Sequence, residues 1–226
     1  MSIETQPATS FAAARAELYD LLSRIFDGDV ELLGEALESG ALVDMATVLP
    51  ADFDTGDLSR ENVDVESLEV GYDNLFAVPG PYYVPPFASA HVTDPSHEFE
   101  SDSSYHEEGS AGELLGDPAQ SISGLYTRTG FTPDRGEGIP DHVAAELEFV
   151  AALAGHESAA IESEDETEST DLVAVQHRTA DHLEWIHEFA DDVGRVDTKE
   201  GVFAALATFT SAFVDWDRRQ LEGRAD

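Results

Sequence analysis

The sequence predicts an all-α protein, a helical bundle, and three observations predict it. Apolar residues recur with a helical period over most of the chain. Glycine and proline fall where those stripes stop. No stretch alternates convincingly with a period of two, and there is no internal repeat. With 226 residues, 42% of them hydrophobic, the chain is long enough to bury a real core.

Residues 10–27 place Phe11, Ala14, Leu18, Leu21, Leu22, Ile25 and Phe26 on one stripe, with Arg15, Glu17, Asp20 and Arg24 largely elsewhere. Gly28 follows as a C-terminal glycine. Residues 30–49 repeat the pattern with Leu32, Leu33, Leu37, Leu42, Met45 and Leu49; Gly40 is a candidate break and Pro50 a stop. Residues 51–62 read as an acidic loop, and a third helix is expected over 63–77. From 79 to 118 the chain is rich in Pro, Gly, Ser and Asp. Pro79-Gly80-Pro81 breaks the helix and a short one is expected near Ala88. Asp117 as N-cap with Pro118 in the first turn opens a helix to Thr129, ended by Gly130. Pro140 opens the next, over 140–155, ended by Gly155. An acidic linker is expected at 156–169. Two long amphipathic helices close the chain. One holds Leu172, Val175, Leu183, Trp185, Ile186 and Phe189; the other starts near Thr198 and holds Val202, Phe203, Leu206, Phe209, Phe213 and Trp216. The expected layout is an N-terminal bundle over 1–155, the linker, and a C-terminal helix pair over 170–226 packed on the same domain.

Charge narrows the function classes. Forty-eight acids against eleven bases give a net charge of −37, and Lys199 is the only lysine. Such a charge repels itself at low salt, whereas molar salt shortens the screening length to roughly 3 Å. The acids spread over the whole length, which points to a protein from a halophile with a KCl-rich cytoplasm. Nucleic-acid binding is excluded for want of clustered bases. The absence of cysteine removes disulfides, thiolate metal sites and cysteine nucleophiles. No apolar run approaches the roughly 20 residues that span a membrane. Met1–Ser10 lacks the basic and apolar regions of a secretion signal, so a cytoplasmic location is expected. No phosphate loop, nucleophile elbow or HExxH motif is present.

Two motifs remain. The first is Tyr72-Asp73-Asn74-Leu75-Phe76 with Pro85-Pro86 and Ser89 downstream. The second is Glu137-Gly138-Ile139-Pro140-Asp141-His142, leading to Glu146, Glu148 and Phe149. Tyr72, Leu75 and Phe76 share one helix face, which suits either core packing or an apolar groove. Asp141 and His142 read as the first turn of a helix, where a carboxylate is favoured by the dipole alone.

Together the motifs resemble the signature of the TorD/DmsD/NarJ-like maturation chaperones. Leu18–Phe26, Leu125-Tyr126 with Gly130, and His182, Trp185 and Phe189 are similar to other helices of that family. The chain departs from the pattern at His91, where the family often has an aromatic, in the polar stretch 94–116, and in a lengthened acidic linker. The resemblance implies a bundle of the TorD/DmsD type, no cofactor and no covalent chemistry. Its partner would be the precursor of a molybdopterin oxidoreductase, such as a dimethyl-sulfoxide, trimethylamine-oxide or nitrate reductase, bound through its twin-arginine signal peptide. Tyr72, Leu75 and Phe76 would take the apolar stretch of that peptide, beside a cleft wall stiffened by Pro85-Pro86 and Ser89. Asp141 and His142 at the rim would meet its arginines, with Glu146 one turn beyond on the same face as a third polar contact. A NarJ-like role on a subunit without an export signal is the alternative. A helical metalloprotein using Glu184-x-x-His187 with His142 and Glu146 is a weaker rival, since di-iron bundles carry two such units; a general adaptor is another. A homodimer, domain-swapped through the linker, is compatible with this layout.

Overall fold

A computed structural model describes residues 5–48, 55, 57–92, 116–197 and 201–225. The expectations for Met1–Glu4, for Leu49 and the Pro50 stop, for 51–54 and 56 of the acidic loop, for 94–115 and for a helix start at Thr198 lie outside these residues.

Helix α1 (Thr5–Phe26) packs most extensively on α6 (Val143–Glu162). Around this pair stand α2 (Val30–Ser39), α3 (Ala41–Val48), α4 (Val65–Tyr72), α5 (Asp117–Thr129), α7 (Glu166–His182), α8 (Ile186–Val196) and α9 (Val202–Ala225). The described residues contain no strand, only an isolated antiparallel bridge between Phe87 and His142. One core joins Leu18, Leu22 and Phe26 of α1 to Leu147 of α6 and to Phe203 and Phe213 of α9. A smaller one sets Ile122, Leu125 and Tyr126 of α5 against Phe149 and Leu153 of α6.

Most punctuation acts as read. Gly40 separates α2 from α3 in the left-handed conformation, φ 72°, and its N–H caps the Ala36 carbonyl. Gly130 ends α5 in the same way. Other boundaries differ. Gly116, not Asp117, is the N-cap of α5. The expected helix at 63–77 is α4 followed by a π-helical turn, Asp73–Ala77. The first closing helix is split by a 3-10 turn, Leu183–Trp185, into α7 and α8.

The largest correction concerns the linker. Helix α6 runs through Gly155 to Glu162, and α7 begins at Glu166, so 156–169 is mostly helical. Ala154, Glu157, Ser158 and Ala160 are buried there. Their burial outweighs the roughly 1 kcal/mol that a mid-helix glycine costs. The acids that read as solvated chain include one that the interior uses.

That acid, Glu157, belongs to a buried ionic knot. Arg15, on α1 and fully buried, donates through Nε to Asp217 Oδ1 (2.6 Å), through Nη1 to Glu157 Oε2 (3.0 Å) and through Nη2 to Gln176 Oε1 (2.7 Å). Tyr19 Oη adds a bond to Asp217 Oδ2 at 2.9 Å, and Gln176 Nε2 one to Glu157 at 2.9 Å. Burial by itself lowers the guanidinium pKa; Asp217 and Glu157 beside it raise the value overall, so the cation persists inside. The knot ties α1, α6, α7 and α9 together. Arg15 off the apolar stripe is thus an interior residue, not a solvated one.

Candidate functional site

The two motifs meet at the start of α6. Asp141 precedes the helix and is fully buried. Its Oδ2 accepts the Ser89 N–H (2.8 Å) and the Ser89 hydroxyl (2.5 Å), and its carbonyl accepts the Ala88 N–H (2.9 Å). The Val143 N–H returns a bond to the Pro86 carbonyl at 2.8 Å. His142 is the N-cap of α6, with Nδ1 accepting the Ala144 N–H. That role needs an unprotonated Nδ1. Burial lowers the His142 pKa to about 4, against the opposing pull of Asp27 and Asp141. Gly136, at φ +81°, lies so close that an added Cβ would stand 2.8 Å from His142 Cβ, so glycine is required. Pro140-Asp141-His142 is therefore a helix entry, one to three residues earlier than the helix itself.

Glu146 lies one turn further on and is also fully buried. Its carboxylate accepts His182 Nε2 (3.0 Å) and Trp185 Nε1 (2.9 Å). Burial raises its pKa, and His182 and Trp185 partly offset this. For His182, burial pulls the pKa down but the Glu146 carboxylate more than reverses it. His91 stacks on Trp185, centroids 5.5 Å apart, donates from Nε2 to the Pro85 carbonyl (2.7 Å) and contacts Asp192 through Nδ1. Pro85, Pro86 and Ser89 thus sit on a strap held to α6 on one side and α8 on the other. The expectation that Asp141 and His142 stand at an open rim, with Glu146 as a third contact, does not fit the burial of all three.

The first motif divides. Phe76 is buried among Phe26, Phe189 and Phe203. Tyr72 stacks edge-on against Phe76, and its hydroxyl donates to the Phe26 carbonyl at 2.8 Å. Burial, with Asp27 nearby, raises the Tyr72 pKa, so the hydroxyl stays a donor. These two side chains belong to the core. Leu75 alone among the sequence-predicted residues also lines a surface groove.

That groove, about 500 Å³, runs between α4, the π turn and the end of α8. Its apolar lining comes from Val70, Leu75, Tyr82 and Val196, and its acids from Asp64, Glu66 and Asp197. Val70 and Tyr82 are 56% and 58% exposed. Two large apolar side chains exposed on one groove are a candidate contact surface on so charged a protein. The π turn widens the helix where the groove opens, a common feature of functional sites. Gly71 forms part of the floor, where an added Cβ would meet Phe203 at 3.0 Å. Sequence reading passed over Val70, Tyr82 and Val196. The signal was Val70 itself, an apolar residue two positions from the buried Leu68 and hence off the inward face of α4.

The Glu184-x-x-His187 unit has other partners: Glu184 pairs with Arg218, and His187 Nδ1 meets the Ser211 hydroxyl at 2.8 Å. Among the described residues no group of three or more His, Asp or Glu is placed to hold a metal ion, and no helix is long and apolar enough to cross a membrane.

Against known proteins, a family model described as Nitrate reductase delta subunit matches residues 32–191, more than half of the chain. No curated protein matches. Among solved structures, a protein from Archaeoglobus fulgidus named for redox enzyme maturation is similar at 23% identity, over 92% of this chain and 93% of that one, with a TM-score of 0.44.

Proposed function

Because the chain belongs to the nitrate reductase delta subunit family of molybdoenzyme maturation chaperones, we propose that it holds a precursor reductase by an apolar, basic-flanked segment laid in the groove beside α4. The observation that carries this reading is the groove itself: exposed Val70 and Tyr82 over Leu75, edged by carboxylates. A helix or extended segment buries its apolar side chains on such a surface, and basic residues flanking it match the acidic edge. A twin-arginine signal peptide has this composition, and holding it delays export until the cofactor is inserted. The protein needs no covalent chemistry for this; higher affinity for the immature client suffices. The description of the matched family favours a nitrate reductase as client. The same groove also suits an apolar segment of a reductase subunit that carries no export signal. The net charge of −37 fits work in a salt-rich cytoplasm.

The test is a titration of labelled signal peptides from reductases in multi-molar KCl, read by fluorescence anisotropy. Saturable binding, weakened when both arginines of the peptide become lysine, is the expected result. A folded protein that binds none of these peptides, nor apolar segments of mature reductase subunits, would overturn it.

A further inference from the structure

Resting on the groove reading above, we propose that Glu66 is the side chain that reads the client's positive charge. It fixes the client with its basic flank at the start of α4 and its apolar stretch running towards Leu75 and Tyr82. Three carboxylates edge the groove, and two are engaged in holding the fold. Asp197 accepts the Gly201 N–H on Oδ1 and the Phe203 and Ala204 N–H groups on Oδ2, all within 3.2 Å. Both of its oxygens thereby close the entry to α9. Asp64 is the N-cap of α4, accepting the Ser67 N–H on Oδ1 (3.4 Å) and the Ser67 hydroxyl on Oδ2 (2.9 Å). A guanidinium fork needs two carboxylate oxygens open together, which neither offers. Glu66 is exposed, lines the groove, and has no hydrogen bond or ion pair among the described residues.

Spacing adds direction. Glu66, Val70 and Asn74 follow at intervals of four, so they form one row along the helix and its π extension, with about 6 Å between neighbours. All three line the groove. The row passes from charge to an apolar side chain to an amide, and Asn74 Nδ2 is tied to the Val70 carbonyl at 2.8 Å, which stiffens it. Leu75 follows Val70 along the chain, and its carbonyl accepts the Val84 N–H at 2.7 Å, which brings the Tyr82 segment to that end of the row; Val196 adds apolar surface from the end of α8. A client whose basic residues precede its apolar stretch therefore runs in the same direction as α4. The surrounding acids supply attraction without address: in molar salt the screening length is about 3 Å, so only a carboxylate in contact discriminates.

A double-mutant cycle isolates the contact. Kd is measured in about 2 M KCl for two peptides, one with an Arg-Arg pair before an apolar stretch and one with Gln-Gln in its place. The proteins are the parent chain, Glu66→Gln, Glu66→Lys, and Glu188→Lys as a control on an exposed acid of α8 that does not line the groove. The Arg-Arg peptide should lose about threefold with Glu66→Gln and about tenfold with Glu66→Lys. The Gln-Gln peptide should be unchanged, as should both peptides with Glu188→Lys. Equal effects of Glu66→Lys on both peptides, or none on the Arg-Arg peptide, would overturn the role of Glu66. Binding of the Gln-Gln peptide by the parent chain would leave the proposed function standing in that case. Failure of the parent chain to bind either peptide would overturn the role of Glu66, and failure with apolar segments of mature reductase subunits as well would remove the proposed function too. Because the chain has no cysteine, Ser67→Cys and Tyr82→Cys can be cross-linked to peptides carrying one cysteine at either end. Position 67 should capture the basic end and position 82 the apolar end; the reverse pattern overturns the direction.

Discussion

The strap at the start of α6 and the groove beside α4 both carry acids and apolar side chains, yet they use them in opposite ways. In the strap, Asp141 and Glu146 are fully buried and hydrogen-bonded to Ser89, His182 and Trp185. In the groove, Val70 and Tyr82 are exposed, and the Glu66 carboxylate has no partner among the described residues. A buried carboxylate with protein donors is a structural part, because removing either partner leaves a desolvated polar group. An exposed apolar patch beside an open carboxylate has no structural task and is available to a partner. Most motif residues therefore build the frame, while the groove is lined mainly by residues beside them, with Asn74 and Leu75 shared.

Breaking the frame should cost stability first. Arg15→Met leaves Glu157 and Asp217 buried without their cation and should destabilise the fold by about 3–5 kcal/mol. Urea unfolding in molar KCl, followed by circular dichroism, measures it. A loss below about 1 kcal/mol would show that the knot is not buried as described.

A smaller, pH-dependent effect sharpens the picture of the helix entry. His142 has its pKa lowered to about 4 in the fold, from an ordinary 6.5. The unfolded chain thus takes up a proton between these values while the folded one does not. The stability contribution is present above about pH 6.5 and is lost as pH falls towards 4. His142→Asn keeps a side-chain acceptor at the N-cap without the titration. Between pH 7 and pH 5 the parent chain should lose more stability than this variant. Parallel pH profiles for the two would contradict the buried, neutral imidazole.

Much of the fold was legible in the sequence because its code is local. Gly28, Gly40 and Gly130 stop helices through their own backbone conformation, and the stripes of α1 and α9 name their buried faces. The linker failed because its acids look solvated by composition, while Glu157 gains its place from Arg15, 142 residues away in sequence. Asp141, His142 and Glu146 were found as residues but misplaced, the first two as an open rim and the third as a contact beside it. Their partners Ser89, Ala144, His182 and Trp185 come from the strap, from α6 itself and from the α7–α8 region, and no periodicity announces which carboxylate folds inward. The groove was visible only as an anomaly, Val70 off the inward face of α4, and its depth depends on Val196 and Asp197 arriving from the far end of α8.

The most direct test sets one residue of each region side by side: peptide anisotropy titrations of Val70→Asp and Asp141→Ala in molar KCl, at a temperature where circular dichroism shows both folded. The account predicts that Val70→Asp, at an exposed position, keeps its melting temperature and loses about tenfold or more in affinity, as expected for a charge placed in an apolar contact. Asp141→Ala should melt earlier, by the roughly 1–3 kcal/mol that unpaired buried partners cost, and bind with unchanged affinity. Normal binding by Val70→Asp together with lost binding by a folded Asp141→Ala would place the client at the strap and contradict the account.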